Sequence, residues 1–598
     1  MVYFLFLVIL TFPLLAQTEG TQIITARSLS LLEEPKYKTG FTHFDYVNPN
    51  APKGGVITRY AVGTFDNFHR YALRGDVNAG SEYLYDTLMT GSDDEFQVYY
   101  PLIAEKIEYP ADYGFIIFYI NPAAKDQEGQ PITAEDVAFS FNTFMTKGVP
   151  QFRTYYKGIE VQVLPGNRVR FDFPEPEDGA ERTKEKLLSI AELTVFPKRF
   201  WENHDFSEPL TKPPLGTGPY RIGDYQMGQY VVLERIKDYW AANLPVRKGL
   251  YNFDYIRYDY YRDSNVAFEA FKAGEYDFRE ENSAMNWATQ YKGKLFDSGA
   301  VVQEEIPHTN PPPYLQALTF NVQRPPFIDP RVRRAINYFF DFEWMNKNLF
   351  YNQYSRLKSY FQNTQYAAAG LPSPEELAIL EPIRDKIPAE VFTEEFNPPV
   401  YDGTGNIRSG MREALRLFNQ AGWELREGKL LNKETGKQMT FELMIWSSST
   451  ERFAIPFQRN LARFGIDMRI RLVDSTQFLN RMRSNDYDLV DQGYYALYYP
   501  SDSALFYWHS RYIDSSYNRA AVIDPTLDYL VEGVMAHQED ADALLHWGRA
   551  LDRVVTWNHY IIPEWYSSKF RLAYKKNLRR PKTLPQQRSY AFDAWWIE

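Results

Sequence analysis

Strand-like and helix-like segments alternate irregularly along all 598 residues of this chain. Thr133, with Asp136 in the N3 position of a capping box, predicts the start of one helix, and Gly148 predicts its end. Asp329 followed by Pro330 predicts the start of another helix. A chain of this length exceeds a single hydrophobic core, so the pattern favours mixed sheets distributed over several α/β lobes.

The composition excludes several classes of function. The chain has 66 Lys and Arg against 77 Asp and Glu, a net charge of −11, whereas a nucleic-acid binder needs a basic surface. The chain has no Cys, which excludes disulfides, thiolate nucleophiles, Cys-ligated zinc and a lipid-modified cysteine. Its eight His form no tight metal-binding spacing. We therefore expect no nucleic-acid partner, no metal and no cofactor.

The amino-terminal residues predict export. The run from Val2 to Leu15 is apolar, too short for a comfortable transmembrane span and long enough for the core of a signal peptide. Residues 1–16 are therefore predicted to be a signal peptide cleaved after Ala16, although no Lys or Arg precedes the run. The alternative is a buried amino-terminal helix. Export without a lipidated cysteine predicts a mature protein in the periplasm of a Gram-negative cell.

A Gly-Thr-Gly-Pro-Tyr turn at residues 216–220 raises the question of a phosphate site. Such a site needs Gly-x-Gly-x-x-Gly at a helix start, or Gly-x4-Gly-Lys followed by Ser or Thr. Neither pattern is present, and the turn is followed by two β-favouring runs at residues 220–225 and 230–235. The turn is therefore predicted to have a structural role instead of binding a nucleotide.

Six segments, in this order along the chain, resemble one protein family. They are "GQPITAEDVAFSF" (129–141), "PPLGTGPYRIGDYQMGQYVVLERIKDYW" (213–240), "RDSNVAFEAFKAGEYDF" (262–278), "LTFNVQRPPFIDPRVRRAINYFFD" (318–341), "ALRLFNQAGWE" (414–424) and "FGIDMRIRLVDSTQFLNRMRSNDYDL" (464–489). The family is that of the bacterial extracellular solute-binding proteins for oligopeptides and dipeptides, family 5. The match covers about residues 50–575, and residues 346–368 and 590–596 are similar to the YejA-type branch.

The resemblance implies an α/β fold of the type II periplasmic binding protein class, a three-lobed clamshell (cluster C) with mixed sheets. Lobe I would comprise residues 17–85, 200–310 and 545–598, lobe II residues 86–199, and lobe III residues 311–544. The resemblance also implies the substrate-binding component of an ABC importer, which is not an enzyme and acts as a monomer. It would capture short peptides between lobes I and III, including cell-wall peptides or microcin-C-like antibiotics, for an inner-membrane permease and its ATPase subunits.

Candidate ligand contacts lie in segments that the resemblance places at the cleft. A peptide binder of broad specificity contacts the main chain, so strand ends with glycine and aromatic residues are favoured. Arginines are candidates for a ligand carboxylate, although a salt bridge within the protein is an alternative for each. The candidates are Phe65, Asn67, Asn286, Trp287, Arg324, Arg356, Asp491, Gly493, Tyr494, Tyr495, Tyr498, Asp502, Trp508 and Arg511.

The chain departs from the family where an Asp usually holds the ammonium group of the ligand. Ala496, Leu497 and Tyr498 stand at the matching positions. Either Asp491 or Asp502 replaces that Asp, or the ligand's amine is blocked or held elsewhere. Two other ligand classes, oligosaccharides and metal chelates, remain open for the same fold, and a secreted hydrolase is a more distant alternative.

Overall fold

The structure, a computed structural model, describes residues 22–148, 152–153, 156–175, 182–587 and 589–598. The predicted signal peptide lies outside these ranges. The strands in chain order are β1 (Ile23–Ala26), β2 (Leu29–Ser30), β3 (Val56–Val62), β4 (Met89–Gly91), β5 (Val98–Pro101), β6 (Ala104–Pro110), β7 (Phe115–Ile120), β8 (Glu160–Leu164), β9 (Arg168–Asp172), β10 (Tyr220–Gln226), β11 (Tyr230–Arg235), β12 (Tyr255–Tyr261), β13 (Phe278–Glu280), β14 (Val301–Pro307), β15 (Tyr314–Leu315), β16 (Ala317–Phe320), β17 (Ser355–Arg356), β18 (Trp423–Arg426), β19 (Lys429–Asn432), β20 (Thr440–Ile445), β21 (Asp467–Leu472), β22 (Leu489–Asp491), β23 (Tyr494–Tyr495), β24 (Ile561–Pro563), β25 (Trp565–Tyr566), β26 (Lys569–Lys575), β27 (Leu578–Arg579) and β28 (Trp596–Ile597).

The described α-helices lie between these strands. They are α1 (Ala134–Lys147), α2 (Lys184–Ala191), α3 (Lys198–Trp201), α4 (Ser264–Ala273), α5 (Ala284–Thr289), α6 (Lys294–Asp297), α7 (Pro330–Asn337), α8 (Phe342–Leu349), α9 (Pro374–Leu380), α10 (Glu390–Thr393), α11 (Arg408–Gln420), α12 (Glu451–Arg463), α13 (Ser475–Arg483), α14 (Ser503–Trp508), α15 (Pro525–Ala536) and α16 (Ala541–Trp557). The capping box predicted for α1 is present. Helix α7 begins at the predicted place but ends at Asn337, and Asp341 then caps α8.

The larger sheets fall into three groups, which we label lobes I, II and III after the predicted lobes. Lobe I contains the sheets β10-β11-β12-β3 and β13-β26-β14, and lobe II contains β1-β6-β7-β9-β8 and β2-β5-β4. Lobe III is built on the sheet β21-β20-β22-β16-β24, in which β20 is parallel to both β21 and β22 and the other pairs are antiparallel. These are the mixed sheets that the sequence predicts.

Strand pairing differs from the predicted lobe limits at two places. Residues 17–85 are predicted as lobe I, yet β1 pairs antiparallel with β6 of lobe II, with Ile23 opposite Pro110. Residues 545–598 are likewise predicted as lobe I, yet β24 pairs with β16 of lobe III, with Ala317 opposite Pro563. Both are short strands that pair with distant residues, and their local sequence carries no signal for the partner.

Two segments join lobe I to lobe III. The first, residues 308–313, runs from β14 to β15 and contains three consecutive prolines, Pro311 to Pro313. The second, residues 567–568, runs from β25 to β26. The backbone N–H of His308 donates to the carbonyl of Ser568 at 2.9 Å, so the two crossings lie side by side. We call this pair of crossings the hinge.

The Gly-Thr-Gly turn fixes the return of the chain from lobe II to lobe I. The backbone N–H groups of Thr217 and Gly218 both donate to the carbonyl of Leu84, at 3.0 and 2.9 Å. The Thr217 hydroxyl donates to the carbonyl of Val195 at 3.2 Å. A Cβ atom on Gly216 would lie 1.9 Å from the same Leu84 carbonyl oxygen, so only glycine fits. The turn therefore has the structural role that the sequence predicts.

We expect Gly216→Ala to destabilise the protein by about 2 kcal/mol or more, because the added methyl group forces two backbone segments apart. The measurement is the unfolding transition by scanning calorimetry. Gly91→Ala is the control, since a Cβ atom there would meet its nearest neighbour, the Val98 carbonyl, at 3.7 Å, an ordinary contact. Equal melting temperatures for the two variants would contradict this role of Gly216.

Candidate functional site

Two adjoining chambers lie between lobes I and III. The first, here called the acidic chamber, has a volume of about 790 Å³ and is bounded by Ser283 and Ala284 of lobe I and by residues 446–453, 491–493 and 564–565. The second, here called the hinge chamber, has a volume of about 660 Å³ and is bounded by both hinge crossings. The side chains of Tyr314, Gln316 and Tyr354 line both chambers. The chambers are thus two parts of one cleft.

The sheet of lobe III brings two carboxylates to the acidic chamber. Strands β22 and β24 both run antiparallel to β16 and flank it, so they are parallel to each other and end at the same edge. Asp491 is the last residue of β22, and Glu564 directly follows β24. Both line the chamber. Parallel strands that end together are a common place for ligand-binding side chains.

The two carboxylates differ in their hydrogen bonds. Asp491 accepts a short hydrogen bond from the hydroxyl of Thr450. Glu564 is only 2% exposed, and its Oε1 atom is buried and accepts no hydrogen bond from any described residue. A buried acceptor without a donor is costly, so this oxygen atom points to a donor supplied by something that enters the chamber.

Burial shifts the protonation of both acids. Desolvation, followed by the nearby negative charge of Asp491, raises the pKa of Glu564 well above 4.5, and the charge of Arg356 opposes this shift. Desolvation also raises the pKa of Asp491, which the hydrogen bond from Thr450 partly offsets. The pair therefore carries less negative charge when the chamber contains no cation, and a cation that enters it favours full ionisation.

Arg356, a candidate for a ligand carboxylate, lies behind the chamber wall. Its guanidinium group packs over the rings of Phe340 and Phe342, with the guanidinium carbon 4.8 and 5.3 Å from the ring centroids. All three guanidinium nitrogens are buried without a hydrogen-bond partner among the described residues. Burial lowers the pKa of Arg356 to about 10. Its position suits electrostatic support of Glu564 better than direct contact with a ligand.

The fold separates the three candidate tyrosines, Tyr494, Tyr495 and Tyr498, and their neighbour Tyr499. Tyr495 is 57% exposed and lines the acidic chamber, with its ring edge-on to Tyr314. Tyr498 lines the hinge chamber and stacks on Phe96 of lobe II at 4.5 Å between ring centroids. Tyr494 is fully buried, and Tyr499 is 7% exposed. Tyr495 and Tyr498 are therefore placed to meet a ligand, whereas Tyr494 is a core residue.

Gly493 lines the acidic chamber, but its close backbone neighbour belongs to the protein. A Cβ atom there would lie 1.6 Å from the carbonyl oxygen of Leu315. The sequence predicts a close approach of backbone to backbone at this glycine, with a ligand as the partner. In the structure, the loop after β22 instead packs against the backbone of β15. This contact forms part of the chamber wall.

Two candidate segments contribute core residues instead of cleft residues. Phe65 is 1% exposed and packs on Tyr260 at 4.9 Å between ring centroids. Asn67 is 1% exposed, and its amide group bonds the backbone of His69 at 2.8 and 2.9 Å. Trp508 is fully buried. The protein encloses all three side chains, so none of them lines the cleft, although the sequence resemblance placed their segments near it.

Other polar candidates lie at lobe surfaces or between lobes. Arg324 pairs with Asp486 at 2.7 Å, and Arg511 is exposed beside the ring of Tyr512. Asp502 lies beside Glu185 of lobe II, where burial and the charge of Asp502 raise the pKa of Glu185. Among the acids that the sequence offered for the ligand's amine, the chamber thus includes Asp491 and not Asp502.

Helix α5 lies beside the chamber on the lobe I side. Its candidate Trp287 is half-buried and donates its indole N–H to Glu305 at 2.7 Å. Asn286 is also half-buried, and its backbone N–H is held by the Ser283 hydroxyl at 3.2 Å. The residues of this segment that line the chamber are Ser283 and Ala284, which precede both candidates.

Sequence reasoning missed Glu564, although the sequence contains a signal for it. The acid follows the apolar run Tyr560-Ile561-Ile562-Pro563, as an acid at the end of a buried strand would. It also missed the hydroxyl-bearing run Ser447 to Thr450, which lines the same chamber before α12. Only the strand order shows that these residues lie together in one chamber.

Comparison with known proteins decides the family. The family model described as "Bacterial extracellular solute-binding proteins, family 5 Middle" matches residues 98–515. The chain belongs to family 5 of the bacterial extracellular solute-binding proteins. Proteins of this family serve ABC importers, and the family assignment confirms the resemblance seen in the sequence.

Relatives of this family 5 protein match it over almost its full length. It is 49% identical to the protein YejA of Escherichia coli (strain K12) over 594 residues, which cover 99% of this chain and 96% of YejA. It is 36% identical to "Probable peptide-binding protein YejA" of Agrobacterium fabrum over 598 residues, with 98% and 96% covered.

A solved structure shares the fold of this family 5 protein. The oligopeptide-binding protein AppA of Bacillus subtilis, solved in complex with a nonapeptide, matches with a TM-score of 0.62 at 18% identity. The match covers 92% of this chain and all of AppA. The type II periplasmic binding protein fold that the sequence predicts is therefore confirmed.

Two absences concern the described residues of this family 5 protein. Within the described ranges, no helix has the length and apolar character needed to cross a membrane. Among the same residues, no group of three or more His, Asp or Glu side chains is placed to hold a metal ion.

We expect Glu564→Gln to stabilise the ligand-free protein at alkaline pH. Because Glu564 has a raised pKa when folded, the folded state holds a proton that the unfolded state loses above pH 4.5. Stability of the wild type should therefore fall relative to the variant as pH rises above 4.5, by up to about 1.4 kcal/mol per pH unit. The measurement is the melting temperature at pH 5 and pH 8.

The exposed Glu394 provides the control, since Glu394→Gln makes the same chemical change away from the chamber. A difference between wild type and Glu564→Gln that is the same at pH 5 and pH 8 would show that Glu564 is already ionised in the empty chamber.

Proposed function

We propose that this chain is a periplasmic binding component that captures short peptides with a free amino terminus. The peptide lies in the cleft between lobes I and III, and the loaded protein delivers it to an inner-membrane permease with its ATPase subunits. The protein acts as a monomer, by binding and release, without chemical conversion of the peptide. Closure of the hinge around the ligand couples capture to delivery.

The observation that carries this proposal is the acid pair Asp491 and Glu564 in the acidic chamber. An ammonium group supplies three N–H donors and a positive charge, which match the unpartnered Oε1 atom of Glu564 and the negative charge of the pair. The pair replaces the Asp that the family usually carries later in the same loop. A charge-assisted hydrogen bond in a partly enclosed chamber is stronger than the same bond in water.

The rest of the acidic chamber suits varied side chains. The hydroxyl groups of Ser447, Ser448 and Ser449 and the exposed rings of Trp446 and Tyr495 line it. Hydroxyl groups and adaptable waters accept different polar groups at little cost, while aromatic rings bury apolar ones. Such a wall favours broad specificity for side chains with a fixed position for the amine.

The names of two similar proteins support the same ligand class. One relative is called a probable peptide-binding protein, and the AppA structure was solved with a nonapeptide. The alternatives fit the chamber less well. A neutral oligosaccharide leaves the acid pair without a cation, and a metal chelate with net negative charge is repelled by the pair.

We expect Asp491→Asn to weaken binding of an equimolar library of tripeptides with free amino termini by about 10- to 100-fold, the usual loss for a hydrogen bond to a charged group. Binding is measured by affinity selection with mass spectrometry, and by the ligand-induced rise in melting temperature. N-acetylated tripeptides should bind weakly to the wild type and to the variant alike.

Asp502→Asn is the matched control, because this acid belongs to the same loop but lies beside Glu185. It should bind the free tripeptides as the wild type does. If the wild type retains no tripeptide from either library, the peptide proposal fails. If it retains free and N-acetylated tripeptides equally, peptides bind but the acid pair does not hold their amine.

A further inference from the structure

Arg571 lies in the wall of the hinge chamber, at the lobe I end of the cleft. It belongs to β26, where it is opposite Glu305 of β14, and it lines the chamber although the whole residue is only 3% exposed. Its guanidinium carbon is 5.4 Å from the ring centroid of Tyr354, which lines both chambers. A nearly buried positive charge therefore faces the cleft.

The hydrogen bonds of Arg571 within the protein are few and long. Its guanidinium nitrogens donate to the side-chain oxygen of Gln353 at 3.3 Å, to the carbonyl of Gln353 at 3.4 Å and to the carbonyl of Glu281 at 3.3 Å. All three acceptors are neutral, and all three distances are beyond the usual 2.7–3.2 Å range. A guanidinium group has five N–H donors, so much of its bonding capacity is unused.

Neighbouring acids are already engaged with other partners. Glu305, opposite Arg571 in the sheet, accepts from Lys569 at 2.5 Å and from the indole of Trp287 at 2.7 Å. Glu280, which also lines the hinge chamber, accepts from the hydroxyl of Tyr590 at 3.0 Å. No described carboxylate lies within 4.0 Å of the Arg571 nitrogens.

The buried arginines of the chain differ in their partners: Arg333, also 3% exposed, donates to backbone carbonyls at 2.7 to 3.1 Å, whereas two others pair with carboxylates. Arg553 pairs with Glu376 at 2.6 Å, and Arg279 pairs with Glu281 at 3.0 Å. Glu281 also accepts hydrogen bonds from Tyr291 and from the backbone of Ser283, so its carboxylate is directed at partners other than Arg571. A buried cation without an anion is unfavourable, and the open chamber is where an anion can reach it.

We propose that Arg571 forms a carboxylate-binding subsite in the hinge chamber and that it fixes the second end of the ligand. The inference rests on the proposed function, because it assigns the far end of a peptide whose amine lies at the acid pair. The planar fork of a guanidinium group matches a carboxylate with two parallel hydrogen bonds. Tyr354 packs against the guanidinium group and keeps the fork in place.

The two subsites imply a short ligand with opposite charges at its ends. Tyr354 separates them, since its ring lies 5.4 Å from the guanidinium carbon of Arg571 and 6.2 Å from the ring of Trp565, the neighbour of Glu564. The charged ends are therefore on the order of 10–15 Å apart, a distance that about three or four extended residues span. The carboxylate comes either from the carboxyl terminus of the peptide or from an acidic side chain near it.

Three equimolar libraries test the subsite and separate these two sources. The first contains tripeptides with a free carboxyl terminus, the second contains the same tripeptides as carboxyl-terminal amides, and the third contains amides with glutamate at the third position. Each is offered to the purified full-length mature protein, and the retained peptides are quantified by mass spectrometry. We expect the wild type to retain the free acids about 10- to 100-fold better than the plain amides. Retention of the glutamate amides at the level of the free acids would identify a side-chain carboxylate as an equal ligand for Arg571.

The variants Arg571→Gln and Arg571→Lys show whether this preference arises at Arg571. We expect the Gln variant to lose the preference for acids over amides, and the Lys variant to keep part of it because the charge remains. Arg324→Gln is the matched control, since Arg324 is held by Asp486 at the surface of lobe III. The free-acid preference of the wild type tests the inference even if Arg571→Gln does not fold.

The outcomes separate this inference from the proposed function. If the wild type retains acids and amides equally, the peptide function stands and the carboxylate subsite is overturned. If Arg571→Gln folds and keeps the full preference, the carboxylate binds elsewhere and the inference is likewise overturned. If no library is retained, the peptide function fails and the subsite fails with it.

Discussion

The pairing of β16 with β22 on one side and β24 on the other is the constraint on which the cleft depends. Asp491 and Glu564 are far apart in the chain, and this three-strand arrangement is what brings both to one edge of the lobe III sheet. Gly493 secures that edge, because its backbone lies against the carbonyl of Leu315 where a side chain would not fit. The chamber and its electrostatics follow from this strand order.

The cleft is built at a cost in stability. Glu564 and Arg356 are buried with unpartnered polar atoms, and Arg571 has only long hydrogen bonds to neutral oxygens. Elsewhere the picture is mixed: Arg553 and Glu376 pair with each other, whereas Arg247 Nε and Asp341 Oδ2 are buried without a hydrogen-bond partner among the described residues. Three poorly satisfied charged groups that gather along one cleft are characteristic of a site prepared for a ligand.

Local signals in the sequence predict the fold better than the site. The capping box of α1 and the helix start at Pro330 are visible because each depends on residues within one turn. The order of the six segments that resemble the family predicts the clamshell. The roles of Phe65, Asn67 and Trp508 could not be foreseen, because burial depends on packing against residues far away in the chain. Glu564 and Arg571 were missed for the same reason, since only the paired sheets reveal which strand ends meet.

One feature of the hinge links the two ends of the cleft mechanically. Glu564 and Arg571 lie on either side of the crossing at residues 567–568, one on lobe III and the other on lobe I. Rotation about this crossing therefore changes the separation of the two charges. A ligand held at both ends would act as a strut of fixed length between the lobes, and the span of the ligand would set the angle at which the clamshell comes to rest.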